Sequence, residues 1–138
     1  MADPLSVTAS LIAVLQLSSK IIKRLKDMKA GAQDRVKLRD EIRSTVFLLE
    51  ILKDRIEDAE AGSNWTASIQ ALSGPSGPLQ QLKLSLGDII AKLMPESRIG
   101  KAAQSVMWPF DKSEILAILA SIERQKSLLN LALQNDHL

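Results

Sequence analysis

The sequence predicts an all-α protein, a bundle of four main antiparallel helices with additional short helices. Apolar residues recur at three- and four-residue spacing in almost every segment, which is the period of an amphipathic helix. Aromatic residues make up only 3% of the chain, and tyrosine is absent. The core must therefore come mainly from Leu, Ile, Val and Ala, and at this spacing that composition favours helices over sheets.

The length and composition of the chain indicate one globular domain. It has 138 residues, of which 46% are hydrophobic and 25% are charged. We therefore expect a single domain over residues 1–138. The absence of cysteine excludes disulfides and thiolate-bound metals, and it favours the reducing interior of the cell.

The first helix is predicted over about residues 4–29. Asp3 followed by Pro4 is a typical N-cap and first-turn pair, and Gly31 is a typical stop after the basic run.

The second helix is predicted over about residues 33–60 and stops at Gly62. Its apolar positions follow the helical period and are Val36, Leu38, Ile42, Val46, Leu49, Leu52 and Ile56. Because the connection is short, the first two helices should form an antiparallel hairpin, with Leu15 near Phe47 and Leu11 near Ile51.

The middle of the chain alternates loop and helix signals. A short helical stretch is predicted from Asn64 to Leu72, followed by a loop rich in Gly and Pro from Ser73 to Pro78. Pro78 suits the first position of the third helix, which is predicted to run to Met94.

The last helix is predicted over residues 112–135, after a weak helix over 97–108. Asp111 and Glu114 have the spacing of an N-cap and the acidic residue that completes a capping box. Phe110 precedes them and is predicted to be mainly buried, so that it anchors the loop to the bundle.

The sequence offers no catalytic or metal-binding constellation. The single histidine is His137, and no glycine-rich phosphate-binding motif is present. We therefore expect no enzymatic activity, no metal site and no cofactor.

The first helix divides into an uncharged half and a basic half. The stretch from Pro4 to Ser19 carries no charge and spans about 24 Å, short of the ~30 Å hydrocarbon core of a bilayer. Its strongly apolar residues, which are the candidates for membrane insertion, are Leu5, Val7, Leu11, Ile12, Val14, Leu15 and Leu17. At about −0.5 kcal/mol each they total only about −3.5 kcal/mol, so the helix is a marginal insertion segment by itself.

A basic cluster follows, consisting of Lys20, Lys23, Arg24, Lys26 and Lys29. Two interpretations stay open at this point. The cations are either a solvated face that suits the helix dipole, or a surface that attracts anionic lipid headgroups at about 1 kcal/mol per residue. The net charge is only +2 and no base-reading motif accompanies the cluster, so nucleic-acid binding is not predicted.

Four long segments resemble one protein family. The segments are "MADPLSVTASLIAVLQLSSKII", "LRDEIRSTVFLLEILKDRIEDAE", "MWPFDKSEI" and "IERQKSLLNLALQNDHL". They resemble the fungal N-terminal domain of STAND proteins, the HeLo-like family, over essentially the whole chain. Members of that family precede a nucleotide-binding module and a repeat region, or another effector, so the resemblance implies the N-terminal effector domain of a longer protein.

The resemblance implies a cytoplasmic helical bundle that triggers regulated cell death when it clusters. It further implies self-association on activation, relocation to the plasma membrane and contact of the first helix with anionic lipids. The apolar residues of that helix would then form the membrane-active face, and the basic cluster would bind headgroups. The alternative is a soluble homotypic domain that recruits a downstream effector.

Overall fold

The computed structural model describes residues 4–58, 71–94 and 108–135. These ranges contain no strand, and their helices are α1 Pro4–Asp27, α2 Ala32–Asp58, α3 Pro78–Leu93 and α4 Lys112–Asn135. The all-α prediction is confirmed. The weak helix expected over 97–108 lies outside the described residues except for Trp108, which is not helical, and most of the one expected from Asn64 to Leu72 lies outside them as well.

The turn between α1 and α2 is fixed by Gly31. Its φ angle of 67° lies in the left-handed region, which glycine adopts without steric cost. A Cβ at this position would come within 2.5 Å of the Trp108 ring, so the indole occupies the space that a side chain would need. Gly31 therefore lies in the turn between the two helices, as predicted, although α1 itself ends at Asp27 and not at residue 29.

The four helices form a square in which each packs against two others. α1 packs against α2 and α3, and α4 packs against the same two helices. α1 and α4 therefore lie across one diagonal of the square, and α2 and α3 lie across the other. The connection from α2 to α3 spans residues 59–77 and joins helices on opposite corners.

Side-chain contacts give the direction of each helix. Arg24, near the end of α1, bonds to the carbonyl of Leu93 at the end of α3, so these two neighbours run parallel. On α3 and α4, Lys92 contacts Glu114 and Ser85 contacts Ser121, so this pair is antiparallel. The two ion pairs between α2 and α4 advance in the same direction along both helices, so α2 and α4 run parallel. Helices that follow one another in the chain are thus antiparallel, as predicted.

The core runs along the centre of the bundle and is aliphatic. On α2, the buried positions are Leu38, Ile42, Thr45, Leu49, Leu52 and Ile56. They place position 47 on the opposite side of the helix, and Phe47 is 66% exposed. The expected contact of Phe47 with Leu15 is therefore wrong, because the helical period takes precedence over the hydrophobicity of the ring.

The segment before α4 is anchored as predicted. Phe110 is 7% exposed, and its ring meets that of Trp108 edge to face at a centroid distance of 5.1 Å. Asp111 and Glu114 form the predicted capping box: the Glu114 amide donates to Asp111 Oδ1 over 2.8 Å, and the Asp111 amide donates to Glu114 Oε1 over 3.1 Å. The last helix accordingly begins at Lys112.

Candidate membrane-contact helix

Most of the apolar residues predicted to insert into membrane face the interior of the bundle. Val7, Leu11 and Val14 are completely buried, and Leu15 and Leu17 are partly buried. Ile12 differs from them, with 40% of its surface exposed. The side chain of Leu5 lies outside the described part of the chain. In this state α1 is therefore a core helix.

The buried face of α1 follows a regular heptad spacing. Its buried positions alternate steps of four and three residues and are Val7, Leu11, Val14, Ser18, Ile21 and Leu25, and the buried Met28 continues the spacing just after the helix ends. Ser18 is the polar member of this line, and its Oγ donates to the Val14 carbonyl over 2.8 Å. Sequence reasoning missed Ser18 as a core residue, although its place in the heptad line was a detectable signal.

The basic cluster divides into two parts. Lys20, Lys23, Lys26 and Lys29 are exposed, but Arg24 is half-buried. Arg24 Nε donates to the Leu93 carbonyl over 3.3 Å and so satisfies an acceptor at the end of α3. The structure therefore leaves the lysines available to a charged surface and engages the arginine inside the bundle.

The C-terminal end of α1 is also held by α2. Arg35 Nη1 donates to the Leu25 carbonyl over 3.1 Å, which satisfies one of the last free acceptors of α1. A cation at this position also interacts favourably with the negative end of the helix dipole.

The inter-helix ion pairs connect α4 to its two neighbours. Lys112 pairs with Asp34 of α2 at 3.0 Å, Lys126 pairs with Glu41 of α2 at 2.8 Å, and Lys92 of α3 pairs with Glu114. No side chain of α1 takes part in these pairs. Among the described residues, the inter-helix ion pairs therefore join α2, α3 and α4. α1 is held instead by its apolar face and by the hydrogen bonds of Arg24 and Arg35.

The Lys126 pair is partly shielded from water. Burial alone lowers the pKa of the Lys126 ammonium, but hydrogen bonds and charge from Glu41 and Glu123 outweigh burial and leave this pKa raised. The protonated ammonium is therefore stabilised in the folded bundle.

No helix in the described ranges is long and apolar enough to cross a membrane. The same ranges hold no group of His, Cys, Asp and Glu side chains able to bind a metal ion. Comparisons of the chain with protein-family models, curated proteins and solved structures find no match.

Proposed function

We propose that this chain is a membrane-targeting effector domain of regulated cell death that is activated by oligomerisation. In the proposed mechanism α1 leaves the bundle and perturbs the bilayer. The observation that carries the proposal is the attachment of α1: its apolar face is buried, and the inter-helix ion pairs join the other three helices. The helix that combines apolar and basic halves is thus the one whose release leaves those ion pairs intact.

The polar content of α1 is compatible with transfer to lipid. Ser18 bonds to a carbonyl of its own helix, so its hydroxyl needs no partner from another helix. Transfer also keeps Val7, Leu11 and Val14 away from water, because lipid replaces the core as their apolar surroundings. The insertion energy of one helix, about −3.5 kcal/mol before polar costs, remains marginal.

Clustering lowers the cost of placing the polar side chains of α1 in lipid. Several copies of α1 held together bury their remaining polar side chains against one another rather than against lipid. This agrees with the resemblance to the HeLo-like family, in which nucleotide-binding and repeat regions that follow the bundle control its assembly. The exposed lysines Lys20, Lys23, Lys26 and Lys29 would first attract the cytoplasmic bundle to the anionic plasma membrane.

Dye release from anionic liposomes tests the proposal, with the domain fused to an inducible oligomerisation module. The clustered parent should release dye. Ala13→Lys should abolish release because a lysine in the middle of the inserted apolar stretch costs up to about 2.5–3.5 kcal/mol, the value at the centre of a bilayer. Ala120→Lys on the exposed face of α4 makes the same change outside α1 and should leave release unchanged. Circular dichroism verifies that both variants fold.

Two outcomes would overturn the proposal. Undiminished release by folded, clustered Ala13→Lys would show that α1 does not enter the bilayer. Absence of release by the clustered parent would favour the second candidate, a soluble homotypic domain that recruits a downstream effector.

A further inference from the structure

The outer face of α2 carries an exposed aromatic ring followed by acids. Phe47 is 66% exposed, and Glu50, Asp54 and Asp58 follow it at helical spacing on the same side. None of these acids forms an ion pair within the described ranges. We call these four residues the acidic stripe.

The outer face of α1 carries the complementary pattern. Ile12 is 40% exposed, and Gln16, Lys20 and Lys23 follow it on the same side, all of them exposed. Neither lysine forms an ion pair with a described residue. We call these four residues the basic stripe.

A groove that is partly lined by apolar residues lies beside the basic stripe. The groove lies between α1 and α2 and has a volume of about 480 Å³. It is lined by Ile12, Leu15, Gln16, Ser19, Lys20 and Lys53. An aromatic ring flanked by acids therefore fits it in both polarity and charge.

The two stripes match in spacing as well as in charge. From Ile12, Lys20 and Lys23 lie about 12 and 16 Å along the helix axis, at 1.5 Å per residue. From Phe47, Asp54 and Asp58 lie about 10 and 16 Å along theirs. When the two helices lie parallel, the ring therefore meets Ile12 while both acids meet lysines.

We propose that the acidic stripe of one copy of this chain docks on the basic stripe and groove of a second copy. This inference rests on the proposed function and names the contact by which bundles assemble before α1 is released. Charge complementarity and exposure of the ring identify a second copy as the occupant. Lys26 and Lys29 lie beyond the contact and remain available to a membrane.

The geometry of the contact excludes a two-fold dimer. Within one molecule α1 and α2 are antiparallel, so a two-fold axis sets α1 either against the partner's α1 or antiparallel to the partner's α2. The antiparallel arrangement moves Lys20 and Lys23 away from Asp54 and Asp58. The charges favour the parallel arrangement instead, which is head-to-tail and continues to further copies as a ring or a filament.

Charge reversal tests the contact by sedimentation of the chain at low ionic strength. The parent should associate beyond the dimer, and added salt should weaken association. Lys20→Glu with Lys23→Glu, or Asp54→Lys with Asp58→Lys, should each weaken self-association at least tenfold. An equimolar mixture of the two double variants should associate again, because each then offers the stripe that the other needs.

Three controls make the result specific. All four reversals in one chain should restore self-association, since both stripes exchange sign. Lys37→Glu with Lys83→Glu changes net charge equally at exposed positions outside the stripes and should leave association unchanged. Phe47→Ala should weaken association without lowering the melting temperature, because the ring is exposed in the single bundle.

Several results would overturn the contact. One is a parent that stays monomeric or forms nothing larger than a dimer. Another is an equimolar mixture of the two double variants that fails to recover association. Dye release by an artificially clustered parent that does not self-associate would refute this contact and leave the proposed function intact. Self-association in the predicted pattern without dye release on clustering would support this contact and refute the proposed function.

Discussion

Arg24 joins the C-terminal ends of α1 and α3, because its Nε donates to the Leu93 carbonyl over 3.3 Å. Arg24→Gln should remove this bond and cost about 0.5–1.5 kcal/mol, the usual net value of one hydrogen bond. Hydrogen exchange should accelerate in α1 more than in α4. Lys23→Gln, at an exposed neighbouring position, is the matched control and should change neither stability nor exchange. Equal acceleration in all four helices of the Arg24 variant would contradict a local role.

Substitution of two glycines should have opposite effects. Gly31→Ala should destabilise the bundle by more than about 1 kcal/mol, because alanine is strained at a φ of 67° and its Cβ meets the Trp108 ring. Gly87→Ala should stabilise it by about 0.5–1 kcal/mol, because this glycine lies inside α3 and a Cβ there meets nothing within 4 Å. Urea denaturation gives both values, and a shift of the same sign in both variants would refute the argument.

The two phenylalanines should differ sharply in their contribution to stability. Phe110→Ala should cost about 3–5 kcal/mol, because the ring is 7% exposed and packs against Trp108. Phe47→Ala should lie within about 0.5 kcal/mol of the parent, because its ring is 66% exposed. Thermal denaturation measures the difference. An unchanged melting temperature for Phe110→Ala would indicate a docking patch rather than an anchor.

The exposed lysines beyond the proposed contact should bind anionic lipid. Lys26→Gln with Lys29→Gln should weaken binding to liposomes that contain phosphatidylserine by about 2 kcal/mol in total at low salt. The difference from the parent should shrink at high salt because ions screen exposed charges. Cosedimentation measures binding, and Lys37→Gln with Lys83→Gln is the control. Equal loss in the control would mean that net charge alone decides binding.

The Lys126 pair should make stability fall at alkaline pH. The pKa of the Lys126 ammonium is raised above the ordinary 10.5. The pair therefore stabilises the fold below that pH and loses this effect as pH rises through the raised pKa. Lys126→Met should lower the melting temperature at neutral pH but reduce its decline above about pH 10. Lys83→Met at an exposed position should keep the decline of the parent. If the melting temperature of Lys126→Met declines as much as that of the parent, this pair does not cause the loss of stability at alkaline pH.

Local sequence signals predicted the helices well. α4 begins where the Asp111 and Glu114 capping signal places it, because a capping box acts within a few residues. The role of Gly31 as a stop also followed from local backbone preference.

The side chains that form the core were harder to predict where the polarity of a residue and its position on the helix disagree. Phe47 is apolar but faces solvent, and Ser18 is polar but buried, because each takes the direction set by its position on the helix. The Arg24 contact had no local signal at all, since Leu93 is 69 residues away in the chain. The sequence therefore shows which residues α1 carries, but not which of them face the core or bond to another helix.

If α1 leaves the bundle as proposed, the square arrangement gives its release two separate free-energy terms. α1 covers the buried sides of both α2 and α3, which occupy opposite corners and do not close over each other. Lipid can offset the exposure of the departing helix, but it does nothing for the apolar trough that this helix leaves behind. Another protein surface must cover that trough, and a neighbouring copy that has also lost its α1 offers one of the same kind. Association would thus act as a thermodynamic condition for opening the bundle, and a lone copy beside a membrane would stay closed.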